Sequence, residues 1–377
     1  MVCKATYEAA KTVAPTVEAH FAQLIATAGE ASSGLEPKIK EIEIIIDTAF
    51  WASLRREEGR LTKISLALLP PEQAKEPLVF QQRLPLSAAV LTKLAPGVER
   101  PGIHLGIWYQ NDELYVWGTT SEIQVLCFVL DVSEPGLLVV KHRRIGGFGK
   151  FANVAVLKGD VVKIVDENSA TLPDCPALLT TLLGFAAPSS WKDSINVLVL
   201  MAVSMRAHMR GGTLLVVPAQ SLTWRESIIQ PVPYAITPAF SGLADLVRQN
   251  EEAQSQAWWQ SALRREIDAI ANLTAIDGAT ILTDQYELLA FGAKIGRPTG
   301  MEPITEIVAT EPIIGRVPLV VHPTRTGGTR HLSAAQFVHD QRDSMALVAS
   351  QDGRFTIFAW SPCEGMVHAH RIDALLL

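Results

Sequence analysis

Apolar residues recur at helical spacing at the start of the chain, where Tyr7, Val13, Val17, Phe21 and Leu24 fall near one face, and the pattern breaks at Ser32-Ser33-Gly34. This periodicity predicts a helix over residues 1–31. Residues 42–55 mix Ile44, Ile45, Ile46, Phe50 and Trp51 with charges, and read either as a helix or as a strand followed by a helix. Between Gly59 and Gly159 the pattern becomes one of short β-rich runs. Strands are predicted at 63–68, 104–109, 113–117, 123–129, 137–140, 154–157 and 161–165, with turns at Asn111-Asp112 and Gly159-Asp160. Residues 1–185 therefore read as a mixed domain rich in antiparallel strands.

Residues 186–377 have a different rhythm. Ser189 or Ser190 is placed to cap a helix on which Ile195, Leu198, Val199, Ala202, Met205 and Met209 share a face, and Gly211-Gly212 ends it. The run 213–217 is apolar and β-branched enough for a central strand covered on both faces. A Pro-rich connection follows at 224–240, then a mostly helical stretch at 243–273. Strands at 279–282 and 287–291 flank a turn at Asp284-Gln285, and a long loop at 297–326 carries a short strand at 319–321. A helix at 328–340 and a hairpin of 344–349 with 354–360, turned at Asp352-Gly353, complete the series. The expected fold is α/β, of the α+β kind, with a mixed sheet packed between helices in this second domain.

Composition narrows the possibilities. With 377 residues, 48% apolar and 19% charged, the chain is long enough for two or three domains with their own cores. A net charge of −6 argues against a protein that coats nucleic acid, which needs clustered Lys and Arg to displace counterions. The longest apolar stretch, residues 195–205, is far short of the roughly 20 residues that span a bilayer, so no membrane partner is expected. Lys4, Glu8, Lys11 and Glu18 interrupt the N-terminal apolar residues, unlike a signal peptide. Cys3, Cys127, Cys175 and Cys363 are scattered without paired spacing, which fits reduced thiols and a cytoplasmic setting.

Two short segments carry the candidate chemistry. Asp277-Gly278-Ala279 precedes a strand, and its two minimal side chains let another group approach the backbone; Asp277 is then able to accept a hydrogen bond from a sugar hydroxyl or to act on it as a base. The alternative is an ordinary Asp-Gly turn. Gly327-Gly328-Thr329-Arg330-His331 opens a helix, offering backbone N–H groups, the Thr329 hydroxyl as cap or donor, the Arg330 fork and the His331 ring to a phosphate. A capped surface helix with an exposed Arg and a satisfied His is the other reading. The basic stretch Lys141-His142-Arg143-Arg144 with Gly146–Lys150 lacks phosphate-loop spacing and reads as a solvated loop. Trp108, Tyr109, Tyr115 and Trp117 on adjacent strands are explained by cross-strand packing. Of Trp258 and Trp259, one reads as core; His368 and His370 share a strand face with no evident third metal ligand.

The two segments, in this order of elements, resemble the diadenylate cyclase (DAC) domain, over about residues 191–360. Asp277-Gly278-Ala279 is similar to its Asp-Gly-Ala motif, Gly328-Thr329-Arg330-His331 to the first four residues of its Gly-Thr-Arg-His-Arg motif, and Arg210-Gly211-Gly212-Thr213 to its helix–strand junction. The whole chain resembles the DAC-like probable sensor type, labelled DACNV. The resemblance implies that Asp277, Gly278, Ala279, Gly328, Thr329, Arg330, His331 and Ser333 bind an adenine nucleotide or cyclic dinucleotide. In active members a homodimer joins two ATP into cyclic di-AMP with Mg²⁺ or Mn²⁺, and Asp277 would be catalytic. This chain departs from the pattern: Leu332 stands where the motif has its last Arg, and Gln351 and Asp352 where the family has two acidic residues. These departures favour a nucleotide sensor over a working diadenylate cyclase; a scaffold that binds no nucleotide is the third reading.

Overall fold

The computed structural model describes residues 6–28, 35–110, 113–145, 151–167, 197–254 and 256–377. Its contacts divide the chain into two compact units, Met1–Val165 with Leu377, and Asp166–Leu376. The boundary expected at residue 185 lies outside the described residues, as do the Ser189 and Ser190 caps, the Asn111-Asp112 turn and the 146–150 glycines.

The first unit runs α1 (Glu8–Ala28), α2 (Ile39–Ser53), β1 (Arg56–Glu57), β2 (Arg60–Leu61), β3 (Ile64–Leu68), β4 (Leu78–Pro85), α3 (Ala88–Val98), β5 (His104–Gln110), β6 (Glu113–Thr120), β7 (Phe128–Glu134), β8 (Leu137–Arg143), β9 (Phe151–Lys158) and β10 (Val161–Ile164). The segment with two readings is helical as far as Ser53, with no strand, because Ile42, Ile45, Ile46, Ala49 and Ala52 recur every three or four residues on its buried face. Eight strands form one sheet in the order β10-β9-β8-β7-β3-β5-β6-β4, antiparallel except for β3 beside β5. Residues of α1, α2 and α3 share one apolar core with Leu66, Leu105, Phe128, Leu138 and Leu157 of the sheet. On the other face Trp117 packs over Gly106 and donates its indole N–H to the Leu69 carbonyl at 2.8 Å, consistent with the packing reading of the aromatics.

Two expectations for this unit are corrected. Residues 123–127 precede the strand, which begins at Phe128; Leu126 turns there with φ 58°. Lys141, His142 and Arg143 belong to β8 rather than a loop: Lys141 pairs with Asp131 at 2.8 Å, and burial pushes the His142 pKa down to about 4.

The second unit runs α4 (Val197–Ala207), β11 (Gly212–Val217), β12 (Tyr234–Phe240), α5 (Gly242–Val247), α6 (Glu251–Gln254), α7 (Ala257–Leu273), β13 (Ala279–Thr283), β14 (Leu288–Ala293), β15 (Ile307–Thr310), β16 (Leu319–Val321), α8 (Thr329–Asp340), β17 (Met345–Ala349), β18 (Phe355–Ser361) and β19 (Met366–Arg371). Nine strands make a mixed sheet in the order β12-β14-β13-β11-β17-β18-β19-β15-β16, with parallel pairs at β11/β13 and β15/β19. All six residues of β11 are buried, as a central strand covered on both faces requires. On one face α8 inserts Ala334, Ala335, Phe337 and Val338 against Leu215, Ile281, Val348 and Phe358. The fold class is α+β, as the pattern implied.

Three details of this unit differ from expectation. Met209 leaves the helical face, because α4 ends at Ala207 and the chain turns at Met209 (φ 55°) and Gly211 (φ 73°) into β11. The Pro-rich connection contains β12, an edge strand that tolerates Pro238. The long loop at 297–326 contains β15 in addition to the expected strand at 319–321, which is β16; both lie at the far edge of the sheet, and none of the loop's residues lines the cleft described next.

Candidate functional site

The β13–β14 hairpin puts Ala279 opposite Ala293, so the residues just outside the two strands meet. Gly278 and Gly292 make the crossing possible. Gly278 has φ 112°, and a Cβ there would stand 2.4 Å from the Gly292 carbonyl carbon. No other residue type fits without moving backbone. The consequence is a pair that sequence reading missed: Lys294 Nζ donates to Asp277 Oδ2 at 2.5 Å. The hairpin expected at 279–282 and 287–291 pointed to the right stretch of chain, but its register, with Ala279 opposite Ala293, is what brings Lys294 beside Asp277. The hydrogen bond and charge of Lys294, with a smaller contribution from Arg330, hold the Asp277 carboxyl below the usual carboxylate range.

The N-terminus of α8 faces the same place. Gly328 is its N-cap, in extended conformation and without a side-chain cap, so Thr329 is the first helical residue rather than the cap. Arg330 lies against the β11 end of the sheet, its Nη1 at 3.0 Å from where a Gly211 Cβ would be. Among the described residues no carboxylate forms a salt bridge with it.

These elements enclose a cleft of about 310 Å³. Asp277, Gly278, Ala279, Thr329, Arg330 and Ser333 all line it, together with Thr213, Ala293, Lys294, Ile229 and Ile295. The polar group and the apolar Ile229 and Ile295 give it an amphipathic lining. Gly328 caps the helix without being part of that lining.

His331 points elsewhere. It is 2% exposed, packs edge-on against Phe358 and lies beneath Gly327, and burial lowers its pKa to about 4. It is a neutral core side chain of the second unit. Helical spacing was the available signal: His331, Ala334, Ala335 and Val338 form the buried stripe, while Thr329, Arg330 and Ser333 occupy the cleft side. Leu332 packs against the core as well, so the site where the resembling motif has Arg carries no charge here.

The cleft lining offers a divalent cation a poor donor set. Asp277 is its sole carboxylate and is engaged by an ammonium group. Asp352 pairs with Arg354 at 3.1 Å, and Gln351 donates to the Arg210 carbonyl at 3.4 Å. Among the described residues there is no group of three or more His, Cys, Asp or Glu arranged to hold a metal. His368 and His370 of β19 are buried, with His368 against Glu364 at 2.9 Å and His370 against Thr310 at 2.7 Å.

Comparison with known proteins gives a sensor-domain family first. Residues 32–121 match the family described as "Probable sensor domain DACNV". The match lies in the first unit, ahead of the cleft-bearing residues, and supports the DACNV type. No curated protein matches the chain. Among solved structures, the crystal structure of a hypothetical membrane spanning protein from Bacillus cereus is 14% identical over 51% of this chain and 70% of that chain, with a TM-score of 0.26, too low to carry an argument. Among the described residues of the present chain, no helix is long and apolar enough to cross a membrane.

Proposed function

We propose that the protein is a sensor whose second unit binds an adenine nucleotide or cyclic dinucleotide in the cleft between β13, β14 and α8, without efficient turnover. The observation that carries this reading is the convergence of Asp277 and Arg330, distant in sequence, on one amphipathic cleft. Its apolar side suits a base or sugar, and Arg330, Ser333 and the uncapped amides of α8 suit a phosphate. The sensor role is supported by the family match in the first unit. The buried Cys127 and the exposed Cys363 thiols agree with a reducing, cytoplasmic setting.

The electrostatics favour binding over catalysis. A base that takes a proton from a ribose hydroxyl works best with its pKa near the working pH, whereas Lys294 lowers that of Asp277. Leu332 removes one fixed charge that would stabilise a phosphoryl-transfer transition state, a loss worth several kcal/mol. Incubating the purified chain with ATP and Mn²⁺ tests the point: no cyclic di-AMP is expected by mass spectrometry, and steady accumulation would assign a diadenylate cyclase instead.

A further inference from the structure

The geometry points to Lys294 as a built-in cation, so that the cleft binds one phosphate or phosphodiester group of its ligand without a divalent metal. This rests on the nucleotide reading above and goes beyond it by fixing the charge class of the ligand. Three charged side chains line the cleft, Asp277, Lys294 and Arg330, and they sum to +1. One phosphodiester matches that charge and the monoester of AMP, at about −1.5 to −2 near pH 7, exceeds it by no more than about one, whereas a triphosphate leaves several negative charges facing Asp277 unless a metal accompanies it.

A metal ion would bind where Lys294 already stands. Its Nζ lies 2.5 Å from the cleft's sole carboxylate, so a divalent cation taking that oxygen must displace an ammonium group of the same sign. The Lys294 backbone is fixed as well, since its carbonyl accepts from the Ile229 N–H at 2.8 Å and the adjoining Ile295 bridges to Ile228. Its side chain is half exposed on a flexible stem, able to swing from Asp277 to an incoming phosphate oxygen. Asp277 acts in this scheme as a positioning residue that holds the ammonium at the cleft until ligand arrives. The cleft volume, about 310 Å³, is at the small end for ligand sites and fits one nucleotide unit better than a long polyphosphate chain.

Calorimetric titration of the full chain with AMP, cyclic di-AMP and ATP, each in EDTA and in Mn²⁺, tests this. AMP or cyclic di-AMP is expected to bind in EDTA within about threefold of its affinity in Mn²⁺ and more tightly than ATP. Lys294→Ala is expected to weaken binding in EDTA at least tenfold and to regain part of it in Mn²⁺, because Asp277 is then released, while Lys294→Arg keeps metal-free binding. Wild-type binding that vanishes in EDTA and returns with Mn²⁺ overturns the inference and leaves the nucleotide reading standing, as does Lys294→Ala binding like wild type in EDTA. Binding of none of the three in either condition overturns both. The exposed pair contributes little to folding, so the melting temperature of Lys294→Ala reports whether the variant is intact.

Discussion

Gly278→Ala is the substitution to which this architecture should be least tolerant. The residue sits at φ 112°, and an added Cβ would lie 2.4 Å from the carbonyl carbon, 2.7 Å from the carbonyl oxygen and 2.8 Å from the Cα of Gly292. All three are backbone atoms, so no side chain is able to rotate away. Backbone strain at such an angle costs about 1–3 kcal/mol, and overpacking adds roughly 1–3 kcal/mol more. The sum, roughly 2–6 kcal/mol, is a large share of the 5–15 kcal/mol that holds a typical domain together. For a unit of this size it corresponds to a fall in Tm of about 5–20 °C. Gly353→Ala is the control: its φ is 82°, but nothing lies within 4 Å of the added atom, so only the strain applies. Differential scanning calorimetry of both variants separates the two contributions. A Gly278→Ala protein melting within about 2 °C of wild type, or no lower than Gly353→Ala, would refute the claim that this backbone crossing builds the site.

Gly328→Asp should supply the missing cap of α8 and complement its dipole, raising stability by about 1 kcal/mol, while the new carboxylate at the rim of the cleft abolishes nucleotide-induced stabilisation; thermal melts with and without AMP read both effects. The first unit should be acid-sensitive. His142 is native in its neutral form with a pKa near 4 against 6.5 in the unfolded chain, so its contribution is intact above pH 6.5 and is lost as pH falls towards 4. At pH 5 the loss is about 2 kcal/mol, and His142→Leu should flatten urea-denaturation stability between pH 7 and pH 5 by about that amount; an unchanged slope would contradict the buried neutral histidine.

The parts of the fold that were legible are those whose sequence pattern and burial coincide. Residues 213–217 read as a doubly covered strand because β11 is buried throughout, and the 344–360 hairpin was visible from its turn at Asp352-Gly353. Edge elements escaped. β4 and β12 are mostly exposed and carry Pro85 and Pro238, so their sequences look like connections, and four-residue β15 offers too few positions for a period. Within the candidate site, Asp277 and Arg330 were legible because Gly278 beside the one and Gly328 two residues before the other marked a close backbone approach and a helix start. Lys294 was not, because it follows an apolar strand and has no motif around it. Only the hairpin register makes it the neighbour of Asp277. His331 was read as a phosphate donor from its position in the motif, while the helical stripe it belongs to turns it into the core.

The central claim, that Asp277 and Arg330 frame a nucleotide site, is tested most directly by ligand-dependent melting of the wild-type chain beside Arg330→Ala. At 100 times its Kd, AMP or cyclic di-AMP should stabilise the wild type by about 2.7 kcal/mol. Arg330→Ala should melt unliganded as the wild type does and show no shift on adding nucleotide. Equal shifts in the two proteins, or no shift in the wild type with any nucleotide, would contradict the account.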